Sequence, residues 1–416
     1  PSPEPVVLDG STQEEVYNLD AKVYQSDELY PADWIQVHTG AGLNKNNEHT
    51  IFVNIEFYPV RYNPVQNIIN YVENIDFSIT YELPTKTEQS SLDEYDMVII
   101  SPSEFSDALQ PLIDHKNSYN MKTYLKTTEE IYNEYDGFDE AEQIKYFIKD
   151  AFDTQQITYV MLVGGMKTYL FGPSRDNANI GSSNWLLPVR YTNNQESGST
   201  HDPGFISDMY YADLYDAEGN FSSWDQDRYG NSDGVYAVWK SFGSTRDILD
   251  LYPDVYVGRL ACRNTWEVKV MVEKIIHYET TAADNDAFNT IIGVGGDSHE
   301  DATNFIEGEV LCDHVFNKYM TEFDTVKLYA SNRDTNPSYI PSDEAIVREV
   351  SNGAGYLLFD GHGHPGSWNT HWPGEFNWED TPGGISCYDF PDFSNEDMYP
   401  ITIVGGCHNS QFNISI

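Results

Sequence analysis

The feature that most constrains the fold is a series of short apolar runs that alternate with amphipathic helical patterns between residues 97 and 404. Uninterrupted runs of this length are typical of parallel strands that are buried on both faces. The runs are Met97–Ile100, Tyr159–Val163, Val255–Val257, Ile291–Val294, Tyr356–Phe359 and Ile401–Val404. Between them lie the helical patterns Glu140–Phe152, Trp266–Tyr278 and Asn304–Tyr319. The alternation predicts an α/β domain over 96–416, with a mostly parallel sheet flanked by helices.

Residues 1–84 follow a different rhythm, in which apolar and polar positions alternate. Ile51–Phe57 and Ile75–Tyr81 show this period of two, which is typical of antiparallel strands with one solvated face. The polar stretch Leu83–Leu92 shows neither pattern. We therefore predict a small all-β domain over 1–84, followed by a linker over 85–95.

Charge excludes two classes of partner. The 416 residues contain 67 acidic and 23 basic side chains, for a formal net charge of −44. Such a chain does not bind nucleic acid by neutralising phosphates, nor an anionic membrane surface. The same charge suits cations and basic substrates.

Two of the predicted strands end in glycine turns that carry reactive side chains. His362 follows Gly361, and Cys407 follows Gly405-Gly406 one predicted strand later. Because parallel strands end at the same edge of a sheet, the imidazole and the thiol are expected to meet there. A thiolate is a competent nucleophile, and an imidazole can take its proton and later protonate a leaving amine. The alternative is a buried core thiol, against which the position of Cys407 after two glycines argues.

A zinc site is a second alternative for the same region, which is rich in sulfur and imidazole ligands. Zinc sites normally contain tightly spaced ligand pairs, and His362 and His364 form the one close pair here. A zinc-dependent hydrolase therefore stays open as an alternative. The candidate ligands are His362, His364, His371, Cys407 and His408.

These motifs, in their order, resemble the gingipain-type cysteine peptidases, family C25 of the caspase-like clan. The resemblance rests on Tyr58–Pro64, Asp96–Ser101, Tyr159–Gly165, Pro253–Leu260, Glu273–Glu279 and Gly361-His362-Gly363 with Cys407 and Asn409. It implies a caspase-like sheet preceded by a β-rich propeptide. It also implies that Cys407 is the nucleophile and His362 the general base and acid. The backbone N–H groups of Gly363 and Cys407 would then form an oxyanion hole.

The resemblance further implies an acidic residue that orients the histidine. Asp297, in the glycine-rich stretch after Ile291–Val294, is the candidate by position, and a helix N-cap or turn residue is the alternative. The sheet of this family continues past the cysteine. We therefore expect cleavage near Ile416, or further sequence, so that a second chain or segment completes the domain.

A calcium site is expected in an acidic, glycine-rich stretch. Asp225, Asp227, Asn231 and Asp233 supply oxygen ligands at short alternating spacings, and the resemblance supports calcium. Solvated turns are the alternative. No organic cofactor is expected.

Substrate preference follows from charge near the predicted site. From residue 349 onward the chain contains no Lys or Arg. A negative field concentrates cationic substrates, which favours cleavage after Arg or Lys, as the resemblance also implies. Asp301 and Glu307 are the candidate pocket acids, and a general acidic bias of the surface is the alternative. The acids from 349 onward are Glu349, Asp360, Glu375, Glu379, Asp380, Asp389, Asp392, Glu396 and Asp397.

Together these observations predict a secreted, extracellular cysteine endopeptidase that acts on proteins or peptides and carries its own inhibitory propeptide. Lys86 is the only basic residue of the polar linker, so self-cleavage is expected after it. Besides the zinc hydrolase, a non-catalytic calcium-binding adhesion module remains an alternative.

Overall fold

The computed structural model describes residues 4–5, 17–18, 24–80, 94–167, 184–194, 205–227, 229–240, 247–299 and 305–413. The chain divides into two compact units. The first unit contains Pro1–Ser91 with the later segments Asp213–Ser222 and Leu249–Asp254, and the second contains the remainder. The predicted linker over 85–95 lies mostly outside the described residues.

The first unit consists of antiparallel strand pairs. The longest pair aligns Ile35 with Phe57 and Leu43 with His49. The alternation over 51–57 therefore corresponds to a strand, as predicted. The strand predicted over 75–81 is wrong for its described residues, 75–80, which form no strand and face solvent. The pairs are β1 (Glu4–Pro5) with β2 (Tyr17–Asn18), β3 (Ile35–Leu43) with β4 (His49–Phe57), and β5 (Val60–Asn63) with β6 (Ile68–Tyr71).

One later segment of the first unit, Leu249–Asp254, packs against β3. The Ala41 N–H donates to Asp250 Oδ2 at 2.7 Å, and the Leu43 N–H donates to the Pro253 carbonyl at 2.8 Å. Local alternation of apolar residues carries no information about such distant pairings. The sequence pattern therefore did not predict that this segment joins the N-terminal strands.

The second unit contains two four-stranded parallel sheets, in the orders β12-β9-β7-β8 and β14-β13-β15-β19. The fold class is α/β with parallel strands flanked by helices, as predicted, but the strands form two sheets where the sequence pattern predicted one. The strands are β7 (Met97–Ser101), β8 (Thr123–Thr127), β9 (Tyr159–Val163), β12 (Tyr256–Leu260), β13 (Thr290–Gly295), β14 (Asp324–Tyr329), β15 (Tyr356–Asp360) and β19 (Ile401–Gly405), with the short pair β10 (Asn193–Asn194) and β11 (Val238–Lys240) apart from both sheets. The helices are α1 (Ser106–Ser118), α2 (Thr128–Glu134), α3 (Glu140–Gln155), α4 (Met209–Ala212), α5 (Thr265–Thr281), α6 (Glu307–Lys318) and α7 (Asp343–Ser351).

Capping side chains fix the starts of the two longest described helices, α3 and α5. Asp139 accepts the Glu142 N–H at 2.9 Å to cap α3, and Asn264 accepts the Glu267 N–H at 3.0 Å to cap α5. Each cap satisfies a backbone donor that the first helical turn leaves unpaired. The central strands are buried on both faces, as the apolar runs predicted. Val98, Ile99 and Ile292 are fully buried.

The second sheet brings the predicted reactive turns to one edge. β15 lies between β13 and β19, and Asp360 pairs with Gly405 at the end of the shared register. β19 is an edge strand, and its Ile403 is 58% exposed. None of the described helices is long and apolar enough to cross a membrane.

Candidate active site

A small antiparallel sheet carries the predicted histidine. It consists of β16 (His362–His364), β17 (Ser367–Asn369) and β18 (Gly384–Ser386), and β16 follows directly on β15. Trp368 of β17 is buried, and its Nε1 donates to the Gly405 carbonyl at 3.3 Å. This contact fixes the sheet against the end of β19.

The predicted cysteine lies on a turn that directly follows β19. Cys407 is exposed, and the next residue, His408, has a φ of 62°. A left-handed conformation at a residue other than glycine reverses the chain at once. The thiol is therefore displayed at the tip of a sharp turn.

One amide side chain joins the two turns. Asn409 Nδ2 donates to the carbonyls of His364 and Ser367, both at 2.9 Å. Asn409 follows the cysteine by two positions, and its acceptors flank the β16–β17 turn. The sequence contained this residue as part of the resemblance, but no signal assigned it a role.

The two turns approach so closely that no side chain fits between them. A Cβ atom placed on Gly363 would lie 2.1 Å from Asn409 Oδ1 and 2.2 Å from the Cys407 carbonyl oxygen. The structure thus brings the backbones of Gly363 and Cys407 into contact, with His362 adjacent. Among the described residues, no hydrogen bond joins the Cys407 thiol to the His362 imidazole.

Asp297 lies at the end of β13 and pairs with His371, not directly with His362. The backbone N–H of each residue donates to the carbonyl of the other at 3.3 Å. Asp297 is fully buried, and its Oδ2 accepts the Gly374 N–H at 2.6 Å. The ring centroids of His371 and His362 are 5.1 Å apart.

Two histidines and an exposed tryptophan form an aromatic group at the site. The Trp378 ring centroid lies 4.0 Å from that of His371 and 5.2 Å from that of His362. His371 is only 2% exposed. Sequence reasoning considered His371 only as a zinc ligand and did not identify Trp378, since neither residue follows a strand of the main sheet.

Acidic side chains accumulate at the same edge of the sheet. Burial raises the pKa of the Asp297 carboxyl, and the neighbouring Glu307 raises it further. Burial also raises the pKa of Asp360, again with a contribution from Glu307. Glu307, a predicted pocket acid, begins α6 and accepts the Ser298 N–H at 3.1 Å. The other predicted pocket acid, Asp301, lies outside the described residues.

Arg333 is a cation that the count of charges from residue 349 onward did not include. Arg333 forms an ion pair with Glu375 at 2.7 Å and lies 3.6 Å from Asp380. It also lies over the Trp372 ring, 4.4 Å from its centroid. Arg333 therefore compensates the negative charge of Glu375 and Asp380, two of the acids counted from residue 349 onward.

The four cysteines differ in their surroundings. Cys262 and Cys312 are buried, and burial raises their pKa to about 11 and about 12. Such thiols are poor nucleophiles near neutral pH, because almost none is ionised. Cys387 is half-buried, and Cys407 is exposed.

The candidate zinc ligands do not converge in the described residues. His364 is exposed, and its Nδ1 accepts the Gly366 N–H at 3.3 Å. His408 Nδ1 contacts Gln411 Oε1 at 3.1 Å. Throughout the described part of the chain, no three His, Cys, Asp or Glu side chains are grouped so that they could hold a metal ion.

The predicted calcium ligands bind the backbone of their own loop. Asp225 accepts the N–H groups of Asp233 and Gly234 at 2.9 and 3.0 Å. Asp227 accepts the Asn231 N–H at 3.0 Å. This arrangement matches the alternative of an ordinary acidic turn. The structure adds Asp247, whose pKa is raised to about 7 by burial and by repulsion from Asp225, Asp233 and Asp227.

Comparison with known families identifies the class that this fold and these turns define. The profile of peptidase family C25 matches residues 90–415, and that of the C25 propeptide matches residues 1–102. The first match covers most of the chain. The protein therefore belongs to peptidase family C25, whose members are cysteine peptidases, and the resemblance found in the sequence is confirmed.

Individual relatives are distant. Gingipain R2 of Porphyromonas gingivalis is 21% identical over 354 residues, which cover 76% of this chain and 38% of the relative. Gingipain R1 of the same species is 21% identical over 281 residues, which cover 66% of this chain and 21% of the relative. The chain thus spans less than half the length of these curated relatives. A solved complex of the pro- and mature domains of P. gingivalis RgpB aligns at a TM-score of 0.45 with 18% identity, covering 74% of this chain and 55% of that one.

Proposed function

We propose that the protein is a secreted cysteine endopeptidase that uses Cys407 as nucleophile and His362 as general base and acid. The observation that carries this proposal is the apposition of two glycine-rich turns at the ends of β15 and β19. One turn displays an exposed thiol, and the other displays an imidazole.

Each group has a defined part in the proposed reaction. His362 takes the proton from Cys407 Sγ, and the thiolate attacks the carbonyl carbon of the scissile peptide bond. The N–H groups of Gly363 and Cys407 stabilise the oxyanion that forms. His362 then protonates the leaving amine, and water hydrolyses the thioester. Asp297 is the proposed third member, which holds His362 in the required orientation.

The acidic edge of the sheet supports cleavage after a basic residue. Glu307 lies within electrostatic range of both Asp297 and Asp360, and burial together with repulsion from Glu307 raises the pKa values of the two aspartates. A cationic side chain in the cleft relieves that repulsion. We therefore propose that Arg or Lys occupies the P1 position and that Glu307 contributes to its pocket.

A fluorogenic peptide panel varied at P1 tests both the activity and the preference. We expect Arg or Lys peptides to be cleaved at least about tenfold faster than Ala, Leu or Glu peptides, since one hydrogen bond to a charged group contributes about 1.5–3 kcal/mol. Glu307→Gln should weaken the preference through KM. Cleavage that a chelator abolishes while thiol alkylation leaves it intact would favour a zinc hydrolase. No cleavage of any peptide would favour the adhesion module.

We also propose that the propeptide region keeps the enzyme inactive until the linker is cut after Lys86. The match of residues 1–102 to the C25 propeptide supports this. Purified precursor should gain activity as a new N-terminus appears at Thr87, which N-terminal sequencing detects. Lys86→Ala should slow or relocate the cut, and the Cys407→Ala precursor should stay intact. Full activity of the uncut precursor would contradict the proposal.

Calcium remains a proposal, supported by the repulsion around Asp247. The folded-state pKa of about 7 lies above the ordinary value of 3.8, so raising the pH from 4 to 7 destabilises the folded state. At pH 8, calcium at a hundredfold excess over its Kd should raise the melting temperature by roughly 5 °C. Asp247→Asn should raise the melting temperature in chelator at pH 8 and remove most of the calcium effect. Identical melting in calcium and in chelator would exclude the site.

A further inference from the structure

Three side chains at the candidate site contain buried polar atoms that have no hydrogen-bond partner. In the described part of the chain, His362 Nε2, both ring nitrogens of His371 and Asp297 Oδ1 are buried and have no hydrogen-bond partner. Buried polar atoms are almost always paired, because an unpaired one loses its hydrogen bonds to water without gaining others. Because the four unpaired atoms belong to three neighbouring residues, we infer that these residues form hydrogen bonds with one another.

The four atoms match two hydrogen bonds in number and in kind. A neutral imidazole has one N–H donor and one acceptor nitrogen. His371 can thus accept the N–H of His362 Nε2 at one nitrogen and donate from the other to Asp297 Oδ1. Two imidazoles joined by a hydrogen bond of about 3 Å have centroids roughly 5 Å apart. The observed separation of 5.1 Å equals this distance, so the bond forms if the rings rotate to bring the two nitrogens together.

We propose that His371 is a positioning residue that connects Asp297 to His362 and so directs the other nitrogen of His362 toward Cys407. The inference rests on the proposed function of the Cys407–His362 pair. In this arrangement the imidazole of His371 contacts and orients His362 directly. The Asp297 carboxylate acts on His362 only through His371.

The surroundings of His371 suit this role. Its ring packs against Phe376 and Trp378, at centroid distances of 5.0 and 4.0 Å, so two aromatic rings restrict its position. Burial lowers the pKa of His371, and His362 lowers it further, whereas Asp297 opposes the change. The residue therefore stays neutral and keeps the lone pair that the proposed contact needs.

The test compares His371→Phe, which keeps an aromatic ring without nitrogens, with His371→Gln, whose amide keeps a donor and an acceptor. We expect His371→Phe to lower kcat by roughly tenfold or more with little change in KM. His371→Gln should recover most of the loss. His115→Phe in α1 is the matched control, because its imidazole pairs with Glu279 far along the chain.

A second readout does not require a substrate. The rate of Cys407 alkylation by iodoacetamide, followed by mass spectrometry against pH, reports formation of the thiolate–imidazolium pair. A hydrogen bond to His362 favours its charged form, so removing that bond should move the midpoint to higher pH by about half a unit. Asp297→Asn should shift the midpoint in the same direction, and the double variant should shift it no further than one single variant does.

These readouts separate the inference from the proposed function. A folded His371→Phe enzyme with the kcat and alkylation midpoint of the natural enzyme would overturn the inference, as would a His371→Gln variant as impaired as His371→Phe. If His371→Phe does not fold, the midpoint of Cys407 alkylation in Asp297→Asn tests the inference instead. A midpoint equal to that of the natural enzyme would overturn it. If the natural enzyme cleaves no peptide, the proposed function fails, while the alkylation midpoints still decide the role of His371.

Discussion

Replacing Cys407 with alanine is expected to lower kcat/KM by at least about 10⁴-fold, because the proposed mechanism takes its attacking atom from this thiol. The melting temperature should change by less than about 2 °C, since the side chain is exposed and exposed substitutions usually change stability by under 0.5 kcal/mol. Peptide cleavage and thermal unfolding, measured on the same preparation, check both expectations.

Controls for this prediction come from neighbouring residues. His362→Ala should lose a similar amount of activity, and the double variant should lose little more, because the pair acts as a unit. Cys387→Ala should keep nearly full activity, and exposed His364→Ala should lose far less than His362→Ala. Appreciable cleavage by folded Cys407→Ala would show that the nucleophile is another residue.

Gly363→Ala should reduce kcat by about a hundredfold, although it adds a single methyl group. That group would lie 2.2 Å from the Cys407 carbonyl oxygen and 2.6 Å from the Gly406 carbonyl carbon. Both neighbours are backbone atoms, so the two turns must separate to admit it. A displacement of about 1 Å between reacting groups can cost about a hundredfold in rate.

The matched control for this variant is Gly258→Ala. Gly258 lies in β12 of the other sheet, and a Cβ atom there would meet no atom within 4 Å. This variant should retain the kcat of the natural enzyme. Cleavage by Gly363→Ala at the natural rate would show that close contact between the turns is not needed for activity.

The parallel sheets were predictable because their strands must be apolar on both faces. Runs such as Tyr159–Val163 and Tyr356–Phe359 coincide with strands to within a residue. Since strand ends in such a sheet share an edge, the meeting of the Gly361–Gly363 and Gly405–Cys407 turns followed from the same pattern. The strand predicted over 75–81 failed because alternation describes a half-buried strand only where a partner strand is present.

The finer features of the site were not predictable, because they depend on short polar segments. β16, β17 and β18 have three residues each, too few to show a period. The contact of His371 with His362 depends on how these segments fold back. Likewise, the spacing of Asp225 and Asp227 fits both a cation and the N–H groups of their own loop, so spacing alone does not distinguish the two.

The sharp turn at His408 has a consequence for the chemical durability of the protein. By holding Cys407 in solvent, it leaves the most exposed of the four cysteine sulfurs open to peroxide, whereas Cys387 is half-buried. Peroxide oxidises a thiolate first to a sulfenic acid that thiols reduce and then to a sulfinic acid that they do not. Cys262 and Cys312 are shielded by the core. Oxidative ageing would therefore concentrate at Cys407, so that activity is lost while the fold remains intact.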